Sequence, residues 1–316
     1  MKIAVLDRCT VTTGDVSLAP IEALGEVRFF DTLPPDKIAD AVADSDALVC
    51  NKAKITADIM ARCPNLRFIG LFATGYNNID LEAATARGIA VCNVPGYSTD
   101  SVAQHVFALI LHFASRADEY AASVARGDWA CSETFSYLAY PISELAGKTL
   151  GIFGFGTIGR AVAAIGAAFG MKILAVAHHP TVCDGVEFTD KNDLLARSDY
   201  LTLHCPLTAE TRHLIDAEAL ALMKPSAVLI NTARGGVVEE NALTAALNSG
   251  RLRGAGIDVL DEEPMRPAHP YLTAKNCYIT PHVAWASIEA RVRLIDMVAE
   301  NLRAFAAGAP IHKVNP

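Results

Sequence analysis

The chain has 316 residues, 52% of them hydrophobic and 20% charged, with a formal net charge of −8. That length favours two domains over one, the apolar content excludes a disordered chain, and the acidic balance gives no footing for nucleic acid. Eight cysteines, at positions 9, 50, 63, 92, 131, 183, 205 and 277, form no C-x-x-C pair. They read as buried small hydrophobes in a reducing compartment, not as a disulfide or metal framework.

Short β-branched runs alternate with helical patterns along the whole chain, the pattern of parallel sheets with crossover helices. In the first third, strands are expected at 3–6, 27–30, 47–50, 68–71 and 90–92. A helix at 80–87 is closed by Gly88. With a strand from near the amino terminus and no apolar run of the ~18 residues a membrane helix needs, a soluble cytoplasmic protein is expected. Pro95-Gly96 then breaks the pattern. One long amphipathic helix is expected from about Thr99 to Arg126, capped by Thr99 or Asp100, with Val102, Val106, Leu109, Ile110 and Phe113 on its apolar face. It reads as a connector to a second α/β unit with strands at 149–153, 173–177, 200–204, 227–231, 254–259 and 277–280. The last helix, 287–306, has no strand after it and is expected to pack back on the first unit. There is no internal repeat and no low-complexity segment.

The strand at 149–153 runs into Gly154-Phe155-Gly156-Thr157-Ile158-Gly159, and a helical pattern follows. In that context G-x-G-x-x-G is a dinucleotide fingerprint. Gly154 allows the tight turn, Gly156 lets the backbone approach a pyrophosphate, and Gly159 lets the helix pack on the strand. The fingerprint ordinarily ends on an acid at the tip of the next strand, about 20 residues on, which binds the ribose hydroxyls. Here the tip reads Ala177-His178-His179-Pro180. The missing carboxylate and the two imidazoles point toward acceptance of a 2′-phosphate; the alternative is that both histidines are surface loop residues.

Three later segments carry a cation, a carboxylate and an imidazole. They are Asn231-Thr232-Ala233-Arg234-Gly235-Gly236, the run from Gly254 through Asp258 to Glu262-Glu263-Pro264, and Thr280-Pro281-His282. Together with Ala73-Thr74-Gly75-Tyr76-Asn77-Asn78-Ile79-Asp80, the stretch from Asn93 to His105, Glu144 to Ile152, and His282-Val283-Ala284-Trp285-Ala286-Ser287, they make the chain resemble the D-isomer-specific 2-hydroxyacid dehydrogenases over nearly its whole length. Within that family it is most similar to the glycerate dehydrogenase/hydroxypyruvate reductase branch.

The resemblance implies a two-domain α/β enzyme with a cleft between a Rossmann dinucleotide-binding domain (100–283) and a smaller flavodoxin-like substrate domain (1–99 and 284–316). It implies hydride transfer between NAD(H) or NADP(H) and a short 2-keto acid, with hydroxypyruvate first and glyoxylate second. Arg234 would hold the carboxylate by a bidentate bond and polarise the keto oxygen. His282 would hand over the proton. Glu263 would orient the ring, with Glu262 as its rival and a solvated acidic loop as the plain alternative. Thr157 and Ile158 would lie beside the pyrophosphate, and Cys205 and Pro206 would edge the adenosine side. Thr232, Ala233 and Asp258 would line the nicotinamide end, unless Asp258 is a helix cap. On the substrate side, backbone amides of Thr74, Gly75 and Tyr76 would grip the carboxylate with Lys52 nearby; Asn51-Lys52 could equally be a surface turn. No metal site is expected, and the His178/His179/Cys183 spacing does not suit zinc. The aromatic-rich segment from Gly127 to Pro141 suggests a homodimer interface. Corepressors of the same fold are the alternative class, which the short chain disfavours. Formate dehydrogenases place glutamine where this chain has Glu263.

Overall fold

The structure is a computed structural model and describes residues 1–180 and 182–316. The chain divides into two compact units, Met1–Ser98 with Trp285–Pro316, and Thr99–Ala284.

The first unit alternates strand and helix. Its elements are β1 (Lys2–Val5), α1 (Ala19–Glu22), β2 (Glu26–Phe29), α2 (Pro35–Val42), β3 (Ala47–Cys50), α3 (Ala57–Ala61), β4 (Phe68–Leu71), α4 (Leu81–Ala86) and β5 (Ala90–Cys92). The strands form one parallel sheet in the order β2-β1-β3-β4-β5. That order reverses between β1 and β3, the flavodoxin-like arrangement, and such sheets bind ligands beyond the carboxyl ends of their strands. β3 and β4 are wholly buried, as expected of parallel strands covered on both faces. Thr56 and Asp80 cap α3 and α4 through their side-chain oxygens.

The second unit opens with α5 (Thr99–Ser115) and α6 (Ala117–Ala125). The single long helix expected here is two helices. Arg116 between them has φ 50°, in the left-handed region, which costs roughly 1–2 kcal/mol for a residue with a Cβ. Offsetting that cost, its guanidinium bonds both carboxylate oxygens of Glu119 and His112 meets Asp118 at 3.0 Å. No glycine or proline marks the break, so the apolar period runs through it.

The remaining elements are β6 (Thr149–Phe153), α7 (Thr157–Ala168), β7 (Lys172–Val176), β8 (Val186–Phe188), α8 (Lys191–Arg197), β9 (Tyr200–Leu203), α9 (Ala217–Leu222), β10 (Val228–Asn231), α10 (Glu240–Asn248), β11 (Gly254–Ile257) and β12 (Cys277–Ile279). They build a seven-stranded parallel sheet, β12-β11-β10-β9-β6-β7-β8. Its order reverses between β6 and β9, the Rossmann switch point. β8 is a three-residue edge strand that the alternation pattern was too short to reveal.

The last helix, α11 (Ile288–Ala306), belongs to the first unit, where Phe305 packs on Phe68 at 5.0 Å and Leu294, Val298 and Leu302 are fully buried or nearly so. Each such side chain contributes roughly 1.5–3 kcal/mol. Among the described residues no strand follows α11, as expected, but the tail after it bonds to the sheet through an isolated bridge between Cys92 and Lys313. Val314 N donates to the Val91 carbonyl, Asn93 N to His312, and the Asn315 side chain accepts from Val91 N. That tail covers the free edge of β5, the usual liability of an open sheet.

The cysteine expectation holds only in part. Cys50, Cys63, Cys92 and Cys205 are buried, but Cys9, in the single 3-10 turn Arg8–Thr10, and Cys131, in a turn after α6, are exposed. No helix among the described residues is long and apolar enough to cross a membrane.

Candidate active site

The glycine-rich turn sits at the carboxyl end of β6, at the switch point. Gly154 has φ 99°, and a Cβ there would meet the backbone of His204 and Cys205 at 2.7–2.8 Å. A Cβ on Gly159 would lie 2.2 Å from the Gly154 carbonyl. Glycine is therefore required at both positions. By contrast, a Cβ on Gly156 would meet nothing within 4 Å. Gly156 is the N-cap of α7 and supplies no capping side chain, whereas α3, α4, α8, α9 and α11 are each capped by a Thr, Asp or Ser side chain. The N–H groups of Thr157 and Ile158 thus lie in an uncapped first turn beside open space, where an anion is favoured. A second observation agrees. The Oγ1 of Thr232, at the carboxyl end of β10, is buried without a hydrogen-bond partner among the described residues. An uncapped helix start and an orphaned hydroxyl at the same sheet edge fit a bound dinucleotide.

At the tip of β7, His178 and His179 are exposed and stacked, with ring centroids 4.5 Å apart. The tip carries no acid, but one stands near it in space. Glu210, in the loop after β9, is held below the usual carboxylate range, mainly by the Thr208 hydroxyl and to a smaller degree by the charge of His178. Cys205 is buried, and burial pushes its thiol up to about 11, so it presents an apolar thiol and not a thiolate. Pro206 follows it, its carbonyl accepting from Thr211.

Three neighbouring strands deliver the remaining side chains. β10, β11 and β12 lie side by side and parallel, so their carboxyl ends present Arg234, Asp258 and His282 over about 10 Å. Asn231, buried at 1%, shapes the first loop by accepting from Ala233 N at 3.0 Å and donating to the Arg234 carbonyl at 3.0 Å. The Arg234 guanidinium donates to the Ala233 carbonyl at 2.7 Å and forms no ion pair among the described residues. His282 Nδ1 meets Glu263 Oε2 at 2.6 Å, with the two side chains 25% and 32% exposed. Glu262 is engaged elsewhere, in an ion pair with Arg266. Glu263 is itself fixed, its Oε1 accepting from Leu260 N at 3.0 Å. Glu240 on α10 steadies the same loop by accepting from Asp261 N and bonding His269, both at 3.0 Å.

Asp258 is 2% exposed and caps no helix among the described residues. Its carboxylate accepts from Thr280 Oγ1 at 2.6 Å, Val283 N at 2.9 Å and Ala284 N at 2.9 Å. Four lone-pair sites less three leaves one for a ligand. Ala233 lies beside Thr232 with its own N–H bonded to Asn231.

In the first unit, the loop after β4 holds Thr74, Gly75 and Tyr76. Thr74 Oγ1 donates to the Val94 carbonyl at 2.7 Å, and Asn93 donates to the Thr74 carbonyl at 2.7 Å. The backbone N–H groups of these three residues bond to nothing among the described residues. Tyr76 is 40% exposed. Lys52 is exposed in the loop after β3, not in a plain turn. The buried carboxylate of Asp7 clamps that loop by accepting from the N–H groups of Asn51, Lys52 and Ala53 at 2.9, 2.5 and 2.7 Å. Burial raises the Asp7 carboxyl despite those bonds.

Sequence reasoning did not single out Asn231, Asp7 or Glu240. Asn231 lies inside a segment it quoted, where an Asn at a strand end suggests a turn-forming side chain. Asp7 and Glu240 act on backbone distant in sequence, and nothing local marks them. No group of three or more potential metal ligands occurs among the described residues.

Residues 107–284 match the family described as D-isomer specific 2-hydroxyacid dehydrogenase, NAD binding domain. Over its full length the chain is 38% identical to the full length of a hydroxypyruvate reductase of Blautia hydrogenotrophica. It is 43% identical to a glycerate dehydrogenase of Methylorubrum extorquens over 88% of both chains. An acyclic imino acid reductase solved with NADPH and D-Arg superimposes with a TM-score of 0.87 at 30% identity, covering 99% of this chain and 100% of the other. A Rossmann sheet with its fingerprint at the switch point, a carboxylate–imidazole pair and a full-length likeness of this degree lead to one conclusion: the chain belongs to the D-isomer-specific 2-hydroxyacid dehydrogenases, oxidoreductases that act on CH–OH donors.

Proposed function

We propose that this protein reduces a short 2-keto acid to the D-2-hydroxy acid, with hydroxypyruvate as first substrate and glyoxylate as second. The observation that carries the reading is the His282–Glu263 pair at 2.6 Å, set two strands away from an arginine with no carboxylate partner among the described residues. When bound, the nicotinamide dinucleotide supplies the hydride that reduces C2. Arg234 holds the substrate carboxylate through two N–H bonds and draws electron density from the keto oxygen. His282 donates its Nε2 proton to that oxygen while Glu263 keeps Nδ1–H engaged and balances the ring's charge. The N–H groups of Thr74, Gly75 and Tyr76 and the Lys52 ammonium are proposed as further groups that bind the substrate carboxylate.

For the dinucleotide, Gly154, Gly156, Thr157, Ile158 and Gly159 would meet the pyrophosphate, Cys205 and Pro206 the adenosine side, and Thr232, Ala233 and Asp258 the nicotinamide. The histidine pair at the β7 tip supports acceptance of NADPH, with NADH also used, and the NADPH relative agrees. The protein is further proposed to be a dimer. Residues 126–146 contain no helix or strand, and Phe135, Leu138 and Trp129 are 90%, 80% and 50% exposed. Large apolar side chains in that state favour a covering surface.

The test is a spectrophotometric panel of hydroxypyruvate, glyoxylate, pyruvate and a bulkier keto acid against NADH and NADPH. Turnover of hydroxypyruvate with the highest kcat/KM is expected. Absence of turnover with every keto acid, alongside tight dinucleotide binding, would favour the corepressor-like alternative. Sedimentation showing only a 33.6 kDa species at micromolar concentration would remove the dimer.

A further inference from the structure

We propose that His105 is a positioning residue for the proton donor, acting through Thr280 and Asp258. The inference rests on the reading of His282 as that donor.

The route begins with two glycines. Gly254 and Gly256 lie on β11, and α5 crosses that strand closely. A Cβ on Gly254 would fall 2.3 Å from the Phe113 ring, and one on Gly256 would fall 3.1 Å from the Leu109 Cβ. Residues 113, 109 and 105 are each four apart, so they share one helix face at steps of about 6 Å. Residues 254, 256 and 258 are each two apart, so they share one strand face at steps of about 6.6 Å. The steps nearly match, and the helix side chains descend the strand as it ascends. Phe113 covers Gly254, Leu109 covers Gly256, and His105 arrives at Asp258. The two missing side chains are what let the third pair meet.

At that point the hydrogen bonds have one consistent direction. Thr280 Oγ1 lies 2.6 Å from Asp258 Oδ1 and 2.9 Å from His105 Nε2. A hydroxyl has one proton, and the carboxylate can only accept it. His105 Nε2 must therefore carry a hydrogen and donate to Thr280. Asp258 in turn accepts from the N–H groups of Val283 and Ala284, and its own carbonyl accepts from His282 N at 2.8 Å. These bonds bracket His282, whose φ of 56° is unfavourable for a residue with a Cβ. Ser101, one turn before His105 on the same helix face, donates to the Ala284 carbonyl at 2.7 Å. Thus α5 grips the segment carrying His282 from both ends. His105 touches neither substrate nor cofactor in this scheme. Its role is to hold Thr280 and Asp258 in the register that sets the imidazole.

Four variants test this: His105→Leu, His105→Gln, Thr280→Val and the His105→Leu/Thr280→Val double. Leucine removes the donor, whereas the glutamine amide can donate from nearly the Nε2 position. Valine keeps the shape of threonine and breaks the chain at its middle. His105→Leu and Thr280→Val are each expected to lower kcat about tenfold, with keto-acid KM and dinucleotide Kd within about twofold. His105→Gln is expected to recover to within about threefold of wild type. The double variant is expected to be no slower than the slower single, because both break the same chain. Without any cofactor or substrate, amide hydrogen exchange at Val283 and Ala284 should speed up about tenfold in the leucine and valine variants and not in the glutamine one. Wild-type kcat and exchange in His105→Leu, equal losses in His105→Leu and His105→Gln, or additive losses in the double variant would each overturn the inference. His282→Ala is run alongside. If it too turns over normally, the reading of His282 has failed; if it is inactive while the His105 series is normal, only the present inference has failed.

Discussion

Two histidines stand at strand ends of the same sheet and have opposite surroundings. His204 follows β9, bonds Thr202 through Nε2 at 2.9 Å, and has no carboxylate within ion-pair reach among the described residues. Burial pushes its imidazole down to about 3, so it is neutral at any pH the protein would work in. His282 follows β12, is a quarter exposed, and meets Glu263 at 2.6 Å. One is built to stay without a proton, and the other has a partner for the charge a proton brings. Residue type and position in the sheet do not separate a packing histidine from the proposed proton donor; the neighbouring dipoles and carboxylates do.

The comparison breaks outright if the wrong histidine matters. His282→Ala is expected to lower keto-acid turnover about 10²–10⁴-fold, the usual worth of general acid help, with dinucleotide binding retained. His204→Asn, which keeps a hydrogen-bonding side chain, should leave the chemical step within a few fold. Steady-state kinetics on the two purified variants decide between them, and equal losses would dissolve the distinction.

The cation two strands from His282 sharpens it next. Arg234→Lys retains the charge and loses the two-pronged donor. A fall of about 10–100-fold in kcat/KM is expected, the worth of one charge-assisted hydrogen bond, with unchanged dinucleotide affinity. Near-normal kinetics would mean that another cation holds the carboxylate.

Glu263→Gln probes what His204 lacks. An amide offers a hydrogen bond without the charge, so keto-acid turnover should fall about 10-fold in this variant with dinucleotide binding retained. Wild-type turnover would take the pair out of the mechanism.

His204 should show itself in stability. Its folded-state proton affinity lies below that of a free imidazole at 6.5. The unfolded chain therefore takes up a proton that the folded one refuses. The stability His204 contributes is fully present above about pH 6.5 and lost progressively as pH falls toward about 3, with a slope of at most about 1.4 kcal/mol per pH unit. Denaturant titrations between pH 7 and 4.5 should show a shallower loss in His204→Asn. The smallest effect is expected at the exposed pair His178 and His179. Ala177→Asp should move the NADPH to NADH ratio of kcat/KM toward NADH by several fold, and an unchanged ratio would take the β7 tip out of cofactor choice.

What the sequence determined by itself is what short-range physics controls. The strand and helix periods and the glycine turn of Gly154–Gly159 are local patterns with a steric or hydrogen-bonding reason, whereas the Arg234, Glu263 and His282 segments were legible through the chain's resemblance to a family. The tertiary structure decided whatever depends on residues far apart in the chain. Glu263, and not Glu262, bonds His282 because Leu260 N and Arg266 fix the two side chains in different directions. The helix break at Arg116 rests on side-chain pairs that no propensity encodes. Asp258, expected to face a cofactor, accepts three bonds from residues 22–26 positions later. His105 meets a hydroxyl 175 residues away because two glycines let a helix lie close to a strand. A hydrogen bond is specified by position and direction in space, and only the packed sheet brings those partners into range.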